Sequence, residues 1–318
     1  MVRNLASEYG VDKKCRTFSV WSHVVSLLYA QLTHSIGLND VCDALRHHRA
    51  KLFAIREATP PSRNGLSNAN KTRDADMMEA LFWKMLTHLQ HQFPQFGPAG
   101  SYSKLPRRFK KAIYSIDSST ITLVANCMDW AKHRRRKAAA KLHLRLNLQT
   151  FLPSFAVIEE GSHHDSSRMM ALCAGLQAGE IAVFDKAYVH FKHLFSLTEM
   201  GVFWVTRAKD NMCYHVCKKR QVSGSIVRDD EITLKTKSSK EHYPQRMRRV
   251  VARVEVNGKF VEMVFITNNM DWAASSVCDL YQSRWAIEVF FKQIKQTLQI
   301  CDFLGHSKQA IRWQLWSA

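Results

Sequence analysis

Three runs of sequence between residues 111 and 161 limit what this 318-residue chain can fold into. The first, AIYSIDSSTITLV, is β-branched and alternating; the second, KLHLRLNLQ, alternates strictly between apolar and polar residues; the third is SFAVIEEG. Alternation with a period of two predicts β-strands. Because the three runs follow one another closely, we expect them to be antiparallel neighbours that start a sheet.

From there to residue 210, helical patterns alternate along the chain with strand patterns. SSRMMALCAGLQAG and FKHLFSLTEMG predict helices that end at Gly179 and Gly201, while EIAVFDKAY and VFWVTRAK predict apolar strands. Strands separated by helices favour parallel pairing. Three antiparallel strands followed by parallel additions indicate an α/β fold, and we predict an RNase H-like core over residues 111–210.

The flanking segments predict further parts. Residues 1–92 carry amphipathic helical patterns and predict a helical N-terminal domain, in which two neighbouring helices fit either a DNA-reading pair or an ordinary helical hairpin. Residues 93–110 hold three of the seven prolines and predict a linker. Residues 211–269 are rich in Lys and Arg, and their Asn257-Gly258 pair signals a hairpin, so we predict a basic, β-rich insertion.

Residues 270–318 return to helical patterns and are expected to complete the core. A single predicted helix there, YQSRWAIEVFFKQIKQ, carries an apolar stripe that suits a core face and a second, polar stripe. The polar stripe is Tyr281, Arg284, Glu288 and Lys295, which fall within roughly 60° of one another at about 100° per residue. It fits either a solvated face, with an Arg284–Glu288 ion pair worth about 0.3–0.5 kcal/mol, or a face presented to a cleft.

Two acids fall at comparable positions on predicted neighbouring strands. Asp117 lies in the first strand and Asp185 at the end of a later one. Taken singly, each suits a solvated acid or a helix cap. Gathered at one sheet edge, however, they repel each other unless a cation lies between them, and oxygen ligands suit Mg²⁺ or Mn²⁺. Two such ions about 4 Å apart can promote phosphodiester displacement, and Glu288 would supply a third acid.

The net charge of +19 indicates a polyanionic partner such as nucleic acid. Within the run KHRRRK, Arg134, Arg135 and Arg136 fit either a solvated basic loop or a phosphate contact. No stretch reaches the roughly 18 apolar residues of a membrane helix, and the N-terminus lacks the apolar core of a signal peptide. The eight scattered cysteines favour reduced thiols in a cytoplasmic protein over a zinc site.

The spacing of Tyr281, Arg284, Glu288 and Lys295 is the Tyr-Arg-Glu-Lys signature of one branch of the DDE transposases of bacterial insertion sequences, which this chain resembles. Other segments resemble the same branch, including YSIDSSTI around Asp117, HDSSRM, VFDKAY, FWVTRAKDN and FITNN. The N-terminal stretch resembles the helical domain found ahead of the catalytic core in part of this branch. The resemblance therefore covers nearly the whole chain.

The resemblance implies that Asp117, Asp185 and Glu288 hold two divalent ions, Mg²⁺ or Mn²⁺, and that the polar stripe of Tyr281, Arg284 and Lys295 contacts the DNA of the element ends. It also implies that metal-activated water nicks the ends and that the freed 3′-hydroxyl attacks target DNA. We expect a homodimer in a synaptic complex to carry out these steps. The alternatives are a truncated, catalytically impaired DNA-binding remnant and an RNase H-like DNA nuclease that cuts without joining.

The chain departs from the family at its second acid. The usual Asp-Arg-Gly-Tyr is Asp185-Lys186-Ala187-Tyr188 here. Lys186 keeps the positive charge and is expected to contact DNA, but it lacks the bidentate fork of arginine. An alanine at position 187 is expected to disfavour a left-handed backbone.

A second departure concerns the end of the chain. Relatives continue with further helices beyond the segment that matches QAIRWQLW, so we expect apolar surface near Trp313 and Trp316. Three other tryptophans fit either core packing, which we favour, or stacking on an unpaired base worth about 1–3 kcal/mol: Trp204, Trp272 and Trp285.

Overall fold

The computed structural model describes residues 1–13, 15, 17–93, 95–96, 109–123, 132–134, 137–160, 165–256, 258–297 and 303–318. The helices of the N-terminal part are α1 (Val2–Glu8), α2 (Val20–Leu32), α3 (Leu38–His47), α4 (Arg49–Ala54), α5 (Arg63–Thr72) and α6 (Asp76–Gln92). The strands are β1 (Ile113–Leu123), β2 (Lys132–Arg134), β3 (Lys137–Asn147), β4 (Leu152–Glu160), β5 (Ile181–Phe184), β6 (Phe203–Arg207), β7 (Tyr214–Lys219), β8 (Ile226–Leu234), β9 (Met247–Val256) and β10 (Lys259–Thr267). The later helices are α7 (Asp165–Cys173), α8 (Phe191–Glu199), α9 (Lys237–His242), α10 (Ala274–Ser283), α11 (Trp285–Thr297) and α12 (Lys308–Ser317).

The strands of the described ranges form one sheet in the order β2-β3-β1-β5-β6-β10-β9-β8-β7, with β4 also paired to β3. β1, β3 and β4 are antiparallel neighbours, and β5 and β6 join β1 in parallel. The predicted order of antiparallel strands followed by parallel additions is therefore confirmed. The architecture is mixed α/β and is consistent with an RNase H-like core.

The predicted β-rich insertion forms β7 to β10 and continues the same sheet, because β10 pairs antiparallel with β6. The predicted hairpin joins β9 to β10, with Val256 opposite Lys259. Asn257 lies outside the described residues, and Gly258 has a φ of +76°, which glycine adopts without steric cost. Part of the basic charge of this segment is neutralised inside the fold, because Nε and Nη2 of the buried Arg248 both donate to the Asp229 carboxylate.

Helices cover both faces of the sheet. On one face, Leu280 of α10 and Ile287 of α11 are fully buried in a cluster with Val183 and Val205. On the other face, α7 and α8 contribute to a second cluster around Phe184 and Trp204. Trp204 is therefore a core residue, as favoured from the sequence. Asp185 follows the last residue of β5, and Asp117 lies beside it in the neighbouring strand β1.

Helix α12 packs against α2, α5 and α6 of the N-terminal part. Trp313 is fully buried and its indole nitrogen donates to the Arg73 carbonyl oxygen at 2.9 Å, while Trp316 packs against Phe82 and Trp83. The expectation of apolar surface near these two tryptophans is wrong. Helices α2, α5 and α6 cover the two tryptophans of α12. The spacing of residues in the sequence does not predict this contact.

The predicted single helix around the polar stripe is two helices, α10 and α11, that meet at Arg284. The Ser283 hydroxyl donates to the Leu280 carbonyl oxygen at 2.6 Å, and the backbone around Arg284 is bonded at a spacing of three residues. A side chain that competes for a helical carbonyl is a recognised cause of such a break. Trp285 is 63% exposed at this junction, so the favoured core packing is wrong for that residue.

Along the described ranges, no helix combines the length and the apolar character needed to cross a membrane.

Candidate active site

The structure gathers the three predicted acids around Tyr281 and Arg284. The Arg284 guanidinium lies 3.0 Å from Asp117 Oδ2 through Nη1 and 2.5 Å from Glu288 Oε1 through Nη2. The Tyr281 hydroxyl donates to Asp185 Oδ1 at 3.2 Å, and the guanidinium carbon lies 5.5 Å from the centre of the Tyr281 ring. Residues that are 167 positions apart in sequence thus share one polar cluster.

Strand register explains how the acids meet. Ile116 of β1 lies opposite Phe184 at the end of β5, so Asp117 and Asp185 follow at the same level of the sheet. On the covering layer, the buried residues Ile287 and Phe291 fix α11 against this sheet. Glu288 projects about 100° further round α11 than Ile287 and lines the same cleft as Asp117.

Burial sets the electrostatics of the cluster. The pKa of Asp117 is raised to about 6, chiefly by burial and to a smaller extent by the charges of Glu288 and Asp185. The Ser118 backbone N–H and the Arg284 guanidinium act in the opposite direction. Burial also raises the pKa of Tyr281 to about 12, so its hydroxyl stays protonated and donates to Asp185. The cluster therefore favours any added positive charge.

The donor chemistry fits a divalent cation, because carboxylate oxygens are the ligands that Mg²⁺ and Mn²⁺ prefer. Among the described side chains, no three His, Cys, Asp or Glu residues are already grouped as a cage for a metal ion. The guanidinium of Arg284 supplies the positive charge between Asp117 and Glu288 instead. A metal ion held by both acids would compete with this fork for Asp117 Oδ2 and Glu288 Oε1, while the second oxygen of each carboxylate stays clear of the fork.

A cleft of about 430 Å³ opens beside the cluster. Lys295 lines it, donates from Nζ to the Thr120 carbonyl oxygen at 2.8 Å, and has a pKa that burial lowers. Sequence reasoning missed Lys292, which lies on the same wall. Its position four residues after Glu288 places it on the same helical face, so the polar stripe could have been extended to include it.

Of the remaining predicted residues, Lys186 is the one whose side chain the structure describes. The Lys186 amine binds exposed Asp210 at 3.1 Å. Arg134 lies in β2, where only the backbone is described, and Arg135 and Arg136 lie outside the described residues. Ala187 belongs to a 3₁₀ turn from Lys186 to Tyr188 and is not among the described non-glycine residues with positive φ, which agrees with the expectation that alanine disfavours a left-handed backbone there.

A mixed sheet that holds acids and basic residues at one edge suits an enzyme that acts on phosphodiesters. Comparison with protein families agrees: residues 108–318 match the transposase DDE domain. The chain therefore belongs to the DDE transposase family of insertion sequences. Residues 1–55 match a domain of unknown function.

Three curated relatives are similar to this chain. A probable transposase for insertion sequence element IS5377 from Geobacillus stearothermophilus is 33% identical over 218 residues, which cover 66% of this chain and 55% of the relative. Putative transposase y4zB from Sinorhizobium fredii is 28% identical over 225 residues, 69% of this chain and 62% of the relative. A putative transposase for insertion sequence element IS4SA from Synechocystis is 20% identical over 259 residues, which cover 79% of this chain and 67% of the relative. The chain thus spans 55–62% of the length of the first two.

Proposed function

We propose that this protein binds the ends of an insertion sequence and catalyses two-metal-ion strand cleavage followed by strand transfer into target DNA. The observation that carries this proposal is the meeting of Asp117, Asp185 and Glu288 around Tyr281 and Arg284. Membership of the Tyr-Arg-Glu-Lys branch of the DDE family is part of the proposal.

DDE transposases generally use divalent metals. In this chain Asp117, Asp185 and Glu288 would hold Mg²⁺ or Mn²⁺, which would activate water and offset the charge on the scissile phosphate. The raised pKa of Asp117 means that protonation competes with metal binding as the pH falls towards 6, so occupation of the site and ionisation of this group favour each other. Tyr281 would keep the Asp185 carboxylate oriented through its hydroxyl.

The basic residues of the site would bind the DNA backbone. Arg284 offers a planar fork that matches phosphate oxygens, so a phosphate at the cluster could take the place of its present carboxylate partners. Lys295 presents its amine to the cleft, and Lys186 lies on the exposed side of the second acid. Arg134, Arg135 and Arg136 are proposed as further phosphate contacts.

The β9–β10 ribbon supports a nucleic-acid partner. β10 leaves β6 near Val264 and Ala208, level with the acidic edge, and continues for five more residues towards Lys259. At about 3.3 Å per residue the ribbon extends roughly 15 Å past β6 on the side where the acids lie. Its tip exposes Phe260 at 70%. A two-stranded arm of this kind would flank a duplex bound at the cleft. The proposed homodimer would bring two such sites together on paired ends.

The proposal is tested by a cleavage assay on labelled DNA from the ends of the element that encodes this chain, with Mg²⁺, Mn²⁺ or EDTA. We expect metal-dependent nicking at the element boundary, which Glu288→Gln abolishes. The matched control is Glu241→Gln, an exposed glutamate on α9, which should nick normally.

The other outcomes separate the alternatives. Specific binding of ends without cutting in either metal would contradict the proposal and favour a DNA-binding remnant. Cutting at the ends without joining of the 3′-hydroxyl to a target plasmid would favour a nuclease.

A further inference from the structure

A second network of charged and polar side chains lies on the face of the sheet opposite Arg284. His143 of β3 is fully buried and lies opposite Ser118, the residue after Asp117. Its Nδ1 lies 3.4 Å from the Tyr188 hydroxyl, and its Nε2 lies 2.9 Å from Glu159 Oε1. The second contact is close but poorly aligned for a hydrogen bond.

The network continues from Glu159 to α7. Both Nε and Nη2 of Arg168 approach Glu159 Oε2, at 2.6 and 2.5 Å. One carboxylate on β4 is therefore held by a histidine on one oxygen and by an arginine on the other. A nearly buried charge of this kind contributes little net stability compared with apolar packing, so the arrangement calls for a reason other than folding energy.

The far end of the network is the turn that carries Asp185. Tyr188 is 1% exposed, and its backbone N–H donates to the Asp185 carbonyl oxygen at 3.1 Å. Asp185 itself has an extended backbone, and its side chain makes no capping hydrogen bond to the turn. The Tyr188 hydroxyl is linked to Glu159 through His143. Tyr188 is therefore tied to this network through its hydroxyl and to Asp185 through its backbone N–H.

We propose that Tyr188, His143, Glu159 and Arg168 form a positioning relay that fixes the Asp185 turn for binding of a divalent metal ion. None of the four lies in the Asp117–Arg284–Glu288 cluster, so their effect is exerted through Asp185. The inference rests on the proposed function, in which Asp185 is a metal ligand. Partners that orient metal ligands typically change metal affinity or activity by 10- to 100-fold when they are removed.

The chain offers a matched structural control in Arg145. It lies two residues from His143 on β3, is also buried, and also binds α7, through the carbonyl oxygens of Leu172 and Ala174. Its described contacts do not reach the Asp185 turn. Substitution of Arg145 should therefore lower stability without changing the geometry of Asp185.

The test is the affinity of the full chain for Mn²⁺ without DNA, measured from the electron paramagnetic resonance signal of the free ion, together with thermal unfolding. We expect Tyr188→Phe, which keeps the ring, and Glu159→Gln to weaken Mn²⁺ binding by about tenfold. Arg168→Gln should weaken it as well, and Arg168→Lys should restore part of the affinity because the positive charge on Glu159 remains. Arg145→Gln should lower the melting temperature and leave Mn²⁺ affinity unchanged.

Two results would overturn the relay. One is wild-type Mn²⁺ affinity in both Tyr188→Phe and Glu159→Gln. The other is a loss of affinity in Arg145→Gln as large as theirs, because that would reduce the effect to general destabilisation. Absence of Mn²⁺ binding by the unaltered protein would instead contradict the proposed function, so the two failures are distinguishable.

Discussion

Two places in this molecule join residues that are far apart in sequence, and they are built in opposite ways. The cluster of Asp117, Arg284 and Glu288 is charged and faces a cleft, with the Glu288 side chain 35% exposed. The joint between α12 and the N-terminal helices has a buried aromatic centre: His23 and Trp313 are fully buried, and their rings lie 4.4 Å apart. The cluster leaves its charge where a ligand can reach it, whereas the centre of the joint is closed to solvent and its ion pairs lie at the rim.

The ionisable groups of the two places show the same contrast. Burial lowers the pKa of His23 to about 3 and raises that of Asp117 to about 6, so desolvation favours the neutral form of both. The neighbour of His23 is uncharged: its Nε2 lies 2.7 Å from the Asn70 side-chain oxygen. Asp117 instead has a cationic partner and two acidic neighbours, which is the environment of a binding site. Burial alone therefore does not identify function; the neighbouring charges do.

The largest expected effect comes from breaking the joint. Trp313→Ala removes a fully buried indole and its hydrogen bond to Arg73, and we expect a loss of about 3–5 kcal/mol in the free energy of unfolding. Urea titration measures this loss. The control is Trp285→Ala, which removes an exposed indole and should change stability by less than about 0.5 kcal/mol. Equal losses in the two variants would refute the buried joint.

The next effect comes from the cluster. Arg284→Ala removes the only cation that bridges Asp117 and Glu288 in the described contacts, and we expect strand cleavage to slow by about 100-fold or more. Arg284→Lys should not restore the rate, because a single amine cannot present two parallel donors. Single-turnover cleavage measures the rate, with Arg246→Ala, a change at a largely exposed residue, as the control. Full activity of the lysine variant would show that charge alone suffices.

A pH series sharpens the contrast for His23. Its pKa is lower in the folded than in the unfolded state, so its stabilising effect is present above about pH 6.5 and is lost as the pH falls towards 3. The slope is at most about 1.4 kcal/mol per pH unit. Urea unfolding of the protein and of His23→Gln at pH 7, 6 and 5 should show a difference that changes by roughly 2 kcal/mol. A difference independent of pH would mean that His23 is accessible to protons in the folded state.

The smallest effect concerns an exposed pair. Lys186 and Asp210 are 38% and 86% exposed, so Asp210→Ala should change stability by less than about 0.5 kcal/mol. Lys186→Ala should instead weaken DNA binding. It should also lower the slope of log affinity against log salt concentration by about one, the amount expected for the loss of one phosphate contact. Fluorescence anisotropy at several salt concentrations measures both variants. An unchanged salt dependence in Lys186→Ala would remove this residue from the proposed DNA surface.

The sequence predicted the parts of the molecule that follow a local rule. Alternation identified β1, β3 and β4, the Asn-Gly pair identified the β9–β10 hairpin, and helical spacing brought Tyr281, Arg284 and Glu288 to one side. The meeting of Asp117 with Asp185 was predictable because both follow from strand position. These features depend on periods and turns that a single stretch of chain contains.

The features that escaped prediction depend on partners elsewhere in the chain. The burial of Trp313 needs the faces of α2, α5 and α6, and the break at Arg284 follows from a competing hydroxyl at Ser283. The contact between His143 and Glu159 depends on the register of β3 against β4, which places His143 opposite Val157 and Lys141 opposite Glu159. The alternation of residues along each strand does not predict how the two strands are aligned with each other.

The most direct measurement replaces a non-bridging oxygen of the scissile phosphate with sulfur in DNA from the element end. Cleavage is then compared in Mg²⁺ and in Mn²⁺, with the unaltered protein and with Asp117→Asn. If Asp117, Asp185 and Glu288 hold metal ions at the phosphate, the sulfur should slow cleavage strongly in Mg²⁺, and Mn²⁺, which accepts sulfur more readily, should restore it. Asp117→Asn should remain inactive in both metals. Equal cleavage of the sulfur and oxygen substrates in Mg²⁺, or an active Asp117→Asn variant, would contradict the account.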